Sequence, residues 1–565
     1  MSDLDLSWLV PNSSMSPTWI TALARLLSVI ITMNLLAKII RVTILVPKLT
    51  IMGDLPHVGN KRKDGKIKGR AVVCGGSIAG LLAATVCSDH FESVLVVEAE
   101  GSPTELGMDK PKELELRTMA DGLMTPIPLR KRLIQYLGLH GFLPPFILGL
   151  QRLFPKNLDS ELAYFGFSLV PFTFVLSSEN KSNPEVFAPG DPNTPLGLPI
   201  MRNEMESLLR RLVVKSRTNI TFITGTIDGF QRQRGNSPHL SGVTVRDQGE
   251  EAASFVIDAT GPTQSSYHRW LKNAGFGPLP SSLQSEYDPN LTYAQSVYTF
   301  PKKLLPKVED ILPYGLIPGA VWGNSPDAST GESRMLYMYF HEGYQLVIVA
   351  GGWGVTEEQR PHTVDEVRSY AKTLHNAEST PEWIWTLFDF LEDSGEECTP
   401  WYADYRPGRM SFIKYQDAEN GTLPNNWIAM GDSLIKLNPI YGQGCTKAMM
   451  DAVTLDSLLR HVPSQQDLPP DFSKKFFHKA VARTKGMWDG NKANDYGFST
   501  TEPAKGETLA TGSFARSFGR YLTYAGRTSY TVHSTFLYGI TCLAPTTDFF
   551  VPSVLIRVAW QWWIN

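Results

Sequence analysis

The chain has 565 residues, of which 42% are hydrophobic and 19% charged, so it is long enough for more than one folded domain. Its net charge of −3 gives no global attraction to nucleic acid, and we expect no nucleic-acid partner. The five cysteines form no CxxC pair and the eleven histidines no HExxH or HxxxH pair, so we expect reduced thiols and no metal site.

The N-terminal part of the chain is strongly apolar, and no charge interrupts it from Leu26 to Ala37. A bilayer span needs about 20 apolar residues, and the flanking cations Arg25, Lys38 and Arg41 can lengthen a span by snorkelling. We therefore predict a membrane-anchor segment over residues 1–48, with a buried packing helix as the alternative.

A cationic segment follows the apolar one. Six of the ten residues from Lys61 to Arg70 carry a positive charge. We interpret residues 49–68 as a basic linker that attracts anionic lipid head groups and holds the rest of the chain on the cytosolic side.

A first glycine-rich signature, GGSIAG at residues 75–80, lies between an apolar strand and a helix. Gly75 permits the tight turn, Gly80 lets the helix pack close to the strand, and the helix N-terminus can bind a pyrophosphate. Ser77 replaces the middle glycine of the usual pattern, and its hydroxyl can bond a phosphate. Glu98, about 20 residues on, ends the second strand, where a carboxylate can bind ribose hydroxyls. The segment predicts a dinucleotide site; a plain glycine turn in a βαβ unit is the alternative.

The middle of the chain changes pattern. Residues 291–298, 334–340 and 345–350 are rich in β-formers and predict strands of an antiparallel sheet. Residues 364–391 follow as a helical stretch.

A second signature begins at Asp432, directly after an apolar run that ends a predicted strand. A carboxylate there can bond the ribityl chain of a flavin. Gly442 and Gly444 let backbone N–H groups approach the flavin ring where a helix begins. Cys445 follows the loop and is a candidate for contact with the flavin; a buried thiol that makes no such contact is the alternative. Both signatures fit one ligand, FAD, more readily than two unrelated glycine loops.

The last hundred residues, 466–565, are expected to be helical and partly membrane-associated. The segment Phe549–Ile564 is rich in Trp and Phe, which favour the membrane interface but also close ordinary cores.

With these motifs in this order, the chain resembles the group A flavoprotein monooxygenases, the family of para-hydroxybenzoate hydroxylase and squalene epoxidase. The resemblance covers roughly residues 69 to 465. It includes DATG at 258–261 and a helix start similar to the family's R-x-x-L, whose arginine lies by the flavin; Arg202 is the matching residue. DATG stands where the family usually has Asp-Gly, which leaves the mode of NADPH use open.

The resemblance implies an α/β fold of the glutathione reductase type. A Rossmann-like FAD domain would comprise residues 69–280 and 410–465, with an antiparallel substrate domain inserted at 281–409. The N-terminal membrane helix and the C-terminal helical region would flank it.

The expected function is that of an FAD-dependent monooxygenase using NADPH and O2 to hydroxylate or epoxidise a lipophilic small molecule, such as a terpenoid or meroterpenoid intermediate. We expect it on a membrane, the endoplasmic reticulum, with the catalytic domain facing the cytosol. The flavin carries this chemistry, so no catalytic side chain is named. Tyr441 and Tyr339 are the side chains considered for the cavity.

Three alternatives stay open. A prenyl-chain reductase would share the FAD domain, and oxygen consumption separates the two. A flavin halogenase would need a WxWxIP box, of which only Trp383 and Trp385 are present. A non-catalytic prenyl-protein escort of the GDI-like fold would have no reason to keep the second signature.

Overall fold

The computed structural model describes residues 17–109, 114–120, 122–172, 194–262, 267–313, 315–463 and 465–564. In these ranges the α-helices are α1 (Pro17–Ile40), α2 (Val46–Leu49), α3 (Ile78–His90), α4 (Pro103–Leu106), α5 (Pro144–Leu153), α6 (Leu158–Phe165), α7 (Arg202–Ser216), α8 (Tyr267–Asn273), α9 (Leu305–Ile311), α10 (Val364–Thr373), α11 (Glu382–Ser394), α12 (Gly444–Leu459), α13 (Phe472–Asp495), α14 (Ser513–Thr528), α15 (Tyr530–Ile540) and α16 (Pro552–Ile564).

The first layer of the fold is a parallel sheet of five strands. Its strands lie in the order Trp427–Ala429, Phe255–Asp258, Ile67–Cys74, Phe91–Glu98 and Ile220–Thr224. Cys74 pairs with Asp258, and Asp258 pairs with Ala429, so these strands end level with one another. The loops that follow them therefore meet at one edge of the sheet, as ligand sites of parallel sheets do.

An antiparallel sheet forms the second layer. Its strands lie in the order Gly319–Asn324, Arg334–His341, Gln345–Trp353, Leu291–Thr299 and Trp401–Tyr405. The three strands predicted in this region are present within three residues of their predicted ends. The expected α/β architecture, with a parallel sheet and an antiparallel one, is confirmed.

Smaller sheets connect these layers. They comprise an antiparallel meander (Ile227–Arg232, Leu240–Val245, Gly249–Ala252), a three-stranded sheet (Gln284–Tyr287, Met410–Ile413, Ile435–Lys436) and the pairs Leu116–Thr118 with Met124–Pro126 and Val170–Pro171 with Leu196–Gly197.

The helical stretch predicted over residues 364–391 consists of two helices, α10 and α11, with residues 374–381 between them. Asn376 adopts a left-handed conformation with φ +64°, and Pro381 precedes the first residue of α11. Both residues interrupt a helix, the first by its backbone angle and the second because proline cannot continue the hydrogen-bond ladder.

The antiparallel sheet packs against different partners on its two faces because side chains alternate along a strand. Leu336, Met338 and Phe340 point into a core formed with α10 and α11. Met335, with Tyr337 and Tyr339 beside it, points the opposite way, into a separate core that includes Met201 and Ile440. The second face therefore packs against the segments that precede α7 and α12.

The N-terminal helix lies outside the core. Helix α1 continues through a π-helical turn at Arg41–Leu45 into α2, and residues Ala22–Leu49 form a stretch long and apolar enough to cross a membrane. Its most apolar window has a mean hydropathy of 2.0 and no buried residue. A signal sequence near an N-terminus has the same length and apolar composition.

Residues 49–68 are buried in part, while the cations Lys61, Lys63, Lys66 and Lys68 of the predicted basic linker are exposed. Ile51 and Leu55 are buried in the main core. Arg62 is also buried, and its guanidinium donates to the carbonyl oxygens of Leu459 and Val462 at 3.0 and 2.9 Å. Carbonyl groups at the end of a helix have no N–H partner within the helix, and the Arg62 guanidinium supplies the hydrogen-bond donors that they lack.

The C-terminal helices form a small core of their own. Leu522 and Ala525 of α14 pack with Val532 of α15 and with Val554 and Val558 of α16. The outer face of α16 leaves large apolar side chains exposed, namely Ile556, Trp560, Trp562 and Trp563.

The N-terminal and C-terminal helical segments are joined by an ion pair. The Arg41 guanidinium donates to both carboxylate oxygens of Asp548, with Nη2–Oδ2 at 2.7 Å. Asp548 lies just before α16. The apolar helix α1 and the tryptophan-rich helix α16 therefore belong to the same region of the molecule.

Candidate active site at the carboxyl edge of the parallel sheet

The first glycine-rich loop has the tight geometry that its sequence predicts. Gly75 has φ +105°, and a Cβ on it would lie 2.5 Å from the carbonyl oxygen of Ala259. A Cβ on Gly80 would lie 1.8 Å from the carbonyl oxygen of Gly75. Both positions exclude any side chain, so the N-terminus of α3 lies against the end of its strand.

Glu98 lies beside this loop, at the end of the neighbouring strand. Its Oε2 accepts a hydrogen bond from the Gly76 N–H at 2.7 Å, and its Oε1 forms an ion pair with Arg130 at 2.9 Å. The predicted acidic residue is thus brought to the glycine loop. Arg130, which no local pattern indicated, lies between it and the rest of the site.

Ser77 and Arg202 meet at the same loop. Arg202, the first residue of α7, donates to the Ser77 hydroxyl at 3.2 Å. The Ser77 hydroxyl in turn donates to Glu206 at 2.7 Å, so it does not cap its own helix. These two predicted site residues are 125 positions apart in the sequence and are in contact at the N-terminus of α3.

Glu206 is the centre of a buried charge cluster. Its carboxylate contacts Arg130 at 2.8 Å, Arg202 at 3.2 Å and Arg210 at 3.3 Å. Burial alone would raise the pKa of Glu206, but the three guanidinium groups outweigh it and lower the pKa to about 2. Glu206 is ionised at every physiological pH and fixes the arginines around the glycine loop.

His140 lies on the other side of Arg202. Its Nε2 accepts from Arg202 Nη1 at 3.3 Å, which leaves Nδ1–H to donate to the Gly138 carbonyl at 2.9 Å. Burial and the adjacent guanidinium lower the pKa of His140 to about 3, so its imidazole is neutral.

The DATG segment and the second signature are bonded to each other. Asp258 Oδ1 accepts from the Thr260 hydroxyl at 2.7 Å and from the Ser433 hydroxyl at 3.2 Å. Ser433 also accepts from the Gly261 N–H at 2.9 Å. The loops after two neighbouring strands thus form one surface beside the glycine loop.

Asp432 lies at the exposed position of the turn Gly431–Ser433. A buried ion pair of α12 holds this turn from below: the Gly431 N–H donates to Asp451 at 3.0 Å, and Lys447 donates to the Gly431 carbonyl at 2.6 Å. Lys447 and Asp451 also contact each other at 2.8 Å with no exposed side-chain surface. The turn is fixed while its carboxylate stays accessible.

The GQG segment leaves open space in front of α12. Gly442 has φ +65°, and the Gly141 backbone approaches it so closely that a Cβ on Gly141 would lie 2.9 Å from the Gly442 carbonyl. A Cβ on Gly444 would meet nothing within 4 Å. Cys445 is buried in the first turn of α12, and burial raises the pKa of its thiol to about 12.

Asp495, the last residue of α13, forms hydrogen bonds with the loop before α12 and with strands of two different sheets. It is completely buried and accepts hydrogen bonds from Tyr441 (2.9 Å), Asn438 (3.0 Å), Trp353 (3.0 Å) and Tyr287 (2.7 Å). Burial raises its pKa to about 6, although the four donors act against the shift.

A cavity of about 1040 Å³ opens beside the second signature. Its walls come from the antiparallel sheet, the loop at residues 139–143, the loop at residues 439–443, and helices α13 to α15. Tyr441 and Tyr339, the tyrosines considered from the sequence, both line it. Trp383 and Trp385 lie on α11 and pack against the opposite face of the sheet.

Several residues of the site were not predicted from the sequence. Glu206 was the easiest to find, because it follows Arg202 by four positions on a helix and the two must share a face. Arg130, His140 and Asp495 belong to segments without a recognisable motif, and only the tertiary fold brings them to the site.

We compared the chain with protein families, with known sequences and with solved structures. No family model matches the chain. Protein Rv3254 of Mycobacterium tuberculosis is 25% identical over 462 residues, which are 78% of this chain and 83% of that protein.

We compare the chain with two of the solved structures that have a similar architecture. A flavoprotein/dehydrogenase of Cytophaga hutchinsonii superposes with a TM-score of 0.51 at 12% identity, covering 88% of this chain and 98% of its own. The flavin-dependent brominase Bmp2 has a TM-score of 0.50 at 13% identity, covering 88% of this chain and 99% of its own. The chain therefore has the fold of flavin-dependent oxidoreductases.

Proposed function

We propose that the protein is an FAD-dependent monooxygenase that acts on a lipophilic small molecule at a membrane. The observation that carries this proposal is the meeting of the glycine loop, DATG and the second signature at one edge of the parallel sheet, beside a large cavity. The shared fold supports the same cofactor.

The residues of this edge fit FAD. Gly75 and Gly80 leave room only for backbone at the N-terminus of α3, where a pyrophosphate would lie. Arg130 and Arg202 supply positive charge there, Glu98 would bind the ribose, and the exposed Asp432 would bind the ribityl chain. The open space at Gly444 would admit the flavin ring, with Cys445 behind it.

When bound, FAD would supply the redox chemistry, namely hydride acceptance from NADPH and activation of O2 for transfer of one oxygen atom. The residues of the chain orient and exclude water. Phe142, Tyr337 and Val349 give the cavity apolar walls that would hold a lipophilic substrate away from solvent. Asp495 holds Tyr441 and Asn438 in place, so the loop at residues 439–443 keeps one position.

The same proposal assigns a function to each part of the chain. Residues 69–280 and 410–465 would form the FAD domain, residues 281–409 the substrate domain, and residues 466–565 a helical region that closes the cavity. Residues 1–48 would anchor the protein.

The site of action would be the endoplasmic reticulum membrane, with the catalytic domain on the cytosolic side. The apolar stretch Ala22–Leu49 and the exposed tryptophans of α16 support a membrane location. All five cysteines are free thiols, which suits a reducing compartment. A terpenoid or meroterpenoid would suit the apolar walls.

The test is the visible spectrum of the detergent-purified protein, followed by NADPH in air and under argon. We expect flavin absorption that bleaches under argon and returns in air with release of hydrogen peroxide. A flavin that is reduced and then does not react with O2 would favour a prenyl-chain reductase. A colourless protein that binds no added FAD would overturn the proposal and favour an escort role.

A further inference from the structure

Three polar side chains form a row on the face of the antiparallel sheet that lines the cavity. They are Tyr337, Tyr339 and His341, which alternate along the strand Arg334–His341. The residues between them pack into the core on the opposite face, with α10 and α11. Residues two apart on a strand lie about 6.6 Å from each other and share a face, so the three side chains lie side by side.

The hydroxyl of Tyr339 is not used by the fold. The Tyr337 hydroxyl lies 3.1 Å from the Ser325 hydroxyl, and the Tyr293 hydroxyl, also at the cavity, accepts from Gln135 at 2.8 Å. Tyr339 lines the same cavity, but its hydroxyl forms no hydrogen bond with any residue that the structure describes. Its capacity both to donate and to accept is therefore left for a ligand.

His341, at the end of the row, also lacks a partner. Its side chain is almost completely buried, and within the described ranges neither ring nitrogen forms a hydrogen bond, with Nδ1 fully enclosed. Burial lowers the pKa of His341 to about 3, so the imidazole is neutral. His140, another histidine of this cavity, has both nitrogens bonded. Buried polar groups of a folded chain are rarely left unpaired, and such a group at a cavity indicates a ligand.

The row lies near the proposed flavin position. Tyr339 packs in the same cluster as Ile440 and Tyr441, which belong to the loop at residues 439–443. That loop precedes the open space at Gly444. A ligand group bound by Tyr339 would therefore lie in the part of the cavity that borders the second signature.

The two unpaired side chains suit a hydroxyl group better than other polar groups. A neutral imidazole has one donor and one acceptor nitrogen, and a hydroxyl can bond either of them while it also bonds the Tyr339 hydroxyl. A carbonyl or ether oxygen only accepts, so it cannot bond an acceptor nitrogen. A carboxylate or an ammonium group would be poorly matched, because neither Tyr339 nor His341 carries a charge to compensate for its desolvation.

We propose that Tyr339 and His341 bind a hydroxyl group of the substrate, and that the cavity therefore takes neutral lipophilic alcohols. This inference rests on the proposed function and specifies its substrate class. The hydroxyl would bond both side chains, and the apolar part of the molecule would fill the rest of the cavity.

The experiment measures dissociation constants by calorimetry on the full-length protein at one fixed concentration of non-ionic detergent. The probes are 1-decanol and its isomer 1-methoxynonane, which has the same atoms but no hydrogen-bond donor. The variants are Tyr339→Phe, His341→Leu and the two combined. The matched control is Tyr337→Phe, which removes a hydroxyl from the same row that Ser325 already bonds.

We expect the wild type to bind 1-decanol about 3- to 10-fold more tightly than 1-methoxynonane, as for one net hydrogen bond. Each single variant should weaken 1-decanol binding by a similar factor, and the combined variant should bind the two isomers equally. Tyr337→Phe should keep the preference for 1-decanol. Tyr339→Phe removes a single oxygen atom, so it tests the inference even if His341→Leu does not fold.

Three results would overturn the inference: a wild type that binds no 1-decanol, equal binding of the two isomers by the wild type, or an undiminished preference in the combined variant. The visible spectrum of each sample is recorded in parallel. A yellow protein that does not distinguish the isomers refutes this inference alone. A colourless protein that binds no added FAD and still prefers 1-decanol refutes the proposed function alone.

Discussion

The hydroxyl of Tyr441 donates a 2.9 Å hydrogen bond to the carboxylate of Asp495, 54 residues later in the chain. This bond ties the loop beside the cavity to the end of α13. The same carboxylate accepts a hydrogen bond from Trp353 of the antiparallel sheet, so one buried group links the loop at residues 439–443 to that sheet. Its charge state therefore affects the stability of both.

Asp495 should make stability depend on pH. Its pKa is raised to about 6, above the unfolded value of about 3.9. Between these values the folded state holds a proton that the unfolded state has released, so the contribution of Asp495 to stability falls as pH rises. Above both values the contribution is constant.

Substitution isolates this contribution. We expect the unfolding free energy of the wild type, relative to Asp495→Asn, to fall by up to about 3 kcal/mol between pH 4 and pH 6.5. Denaturant unfolding followed by tryptophan fluorescence measures it. Asp489→Asn, at an exposed ion pair of the same helix, is the control, because a surface ion pair contributes little to stability. A flat difference for Asp495→Asn would contradict the prediction.

Alanine at Gly80 should destabilise the fold, whereas alanine at Gly444 should leave its stability nearly unchanged. Gly80→Ala places a Cβ against the Gly75 carbonyl, so we expect loss of several kcal/mol of stability and loss of bound FAD. Gly444→Ala places its Cβ in open space, so the melting temperature without FAD should stay within a few degrees of wild type. Its FAD affinity should fall, because the methyl group occupies space that the flavin would approach. Thermal melts with and without FAD separate the two effects.

The buried pair Lys447–Asp451 should be costly to break singly. Lys447→Met leaves a buried carboxylate unpaired, and we expect a loss of about 3 to 5 kcal/mol. The double variant Lys447→Met/Asp451→Leu removes both charges and should recover part of this loss, although Gly431 loses both side-chain bonds. A double-mutant cycle by chemical denaturation measures the coupling; additive effects would mean that the pair does not act as a unit.

Membrane binding should depend on both ends of the chain. Deletion of residues 2–39 removes the apolar helix, and replacement of Trp560, Trp562 and Trp563 by Ser removes the exposed aromatic face of α16. We expect the deletion to weaken flotation with liposomes strongly, and the combined variant to be released completely, since stable attachment of a peripheral protein takes two signals. Full flotation of the combined variant would exclude both segments as the anchor.

The elements that the sequence predicted correctly are those with a local pattern. Gly75 and Gly80 have a fixed spacing within one turn, and the predicted strands at 291–298 and 345–350 are rich in β-formers. These patterns depend only on neighbouring residues, so they could be recognised without the fold.

The elements that could not be predicted depend on distant partners. Arg62 carries a charge typical of a lipid-binding linker, yet it is buried because the end of α12, almost 400 residues later, needs donors for its carbonyl groups. Arg130 and Asp495 likewise gain their roles from partners far away in sequence. A charge or a carboxylate alone does not reveal whether it will meet water or a buried partner.

The order of the strands in the parallel sheet has a consequence for synthesis of the protein. The edge strand Trp427–Ala429 pairs with Phe255–Asp258, about 170 residues earlier. Until the ribosome has released the later strand, the earlier one presents an unpaired apolar edge, the kind of edge on which chains aggregate. The second half of the proposed FAD site follows that strand, so FAD could be captured only after residues 432–445 have been synthesised. Chains that stall before residue 427 should depend on chaperones, and supplying more FAD would not rescue them.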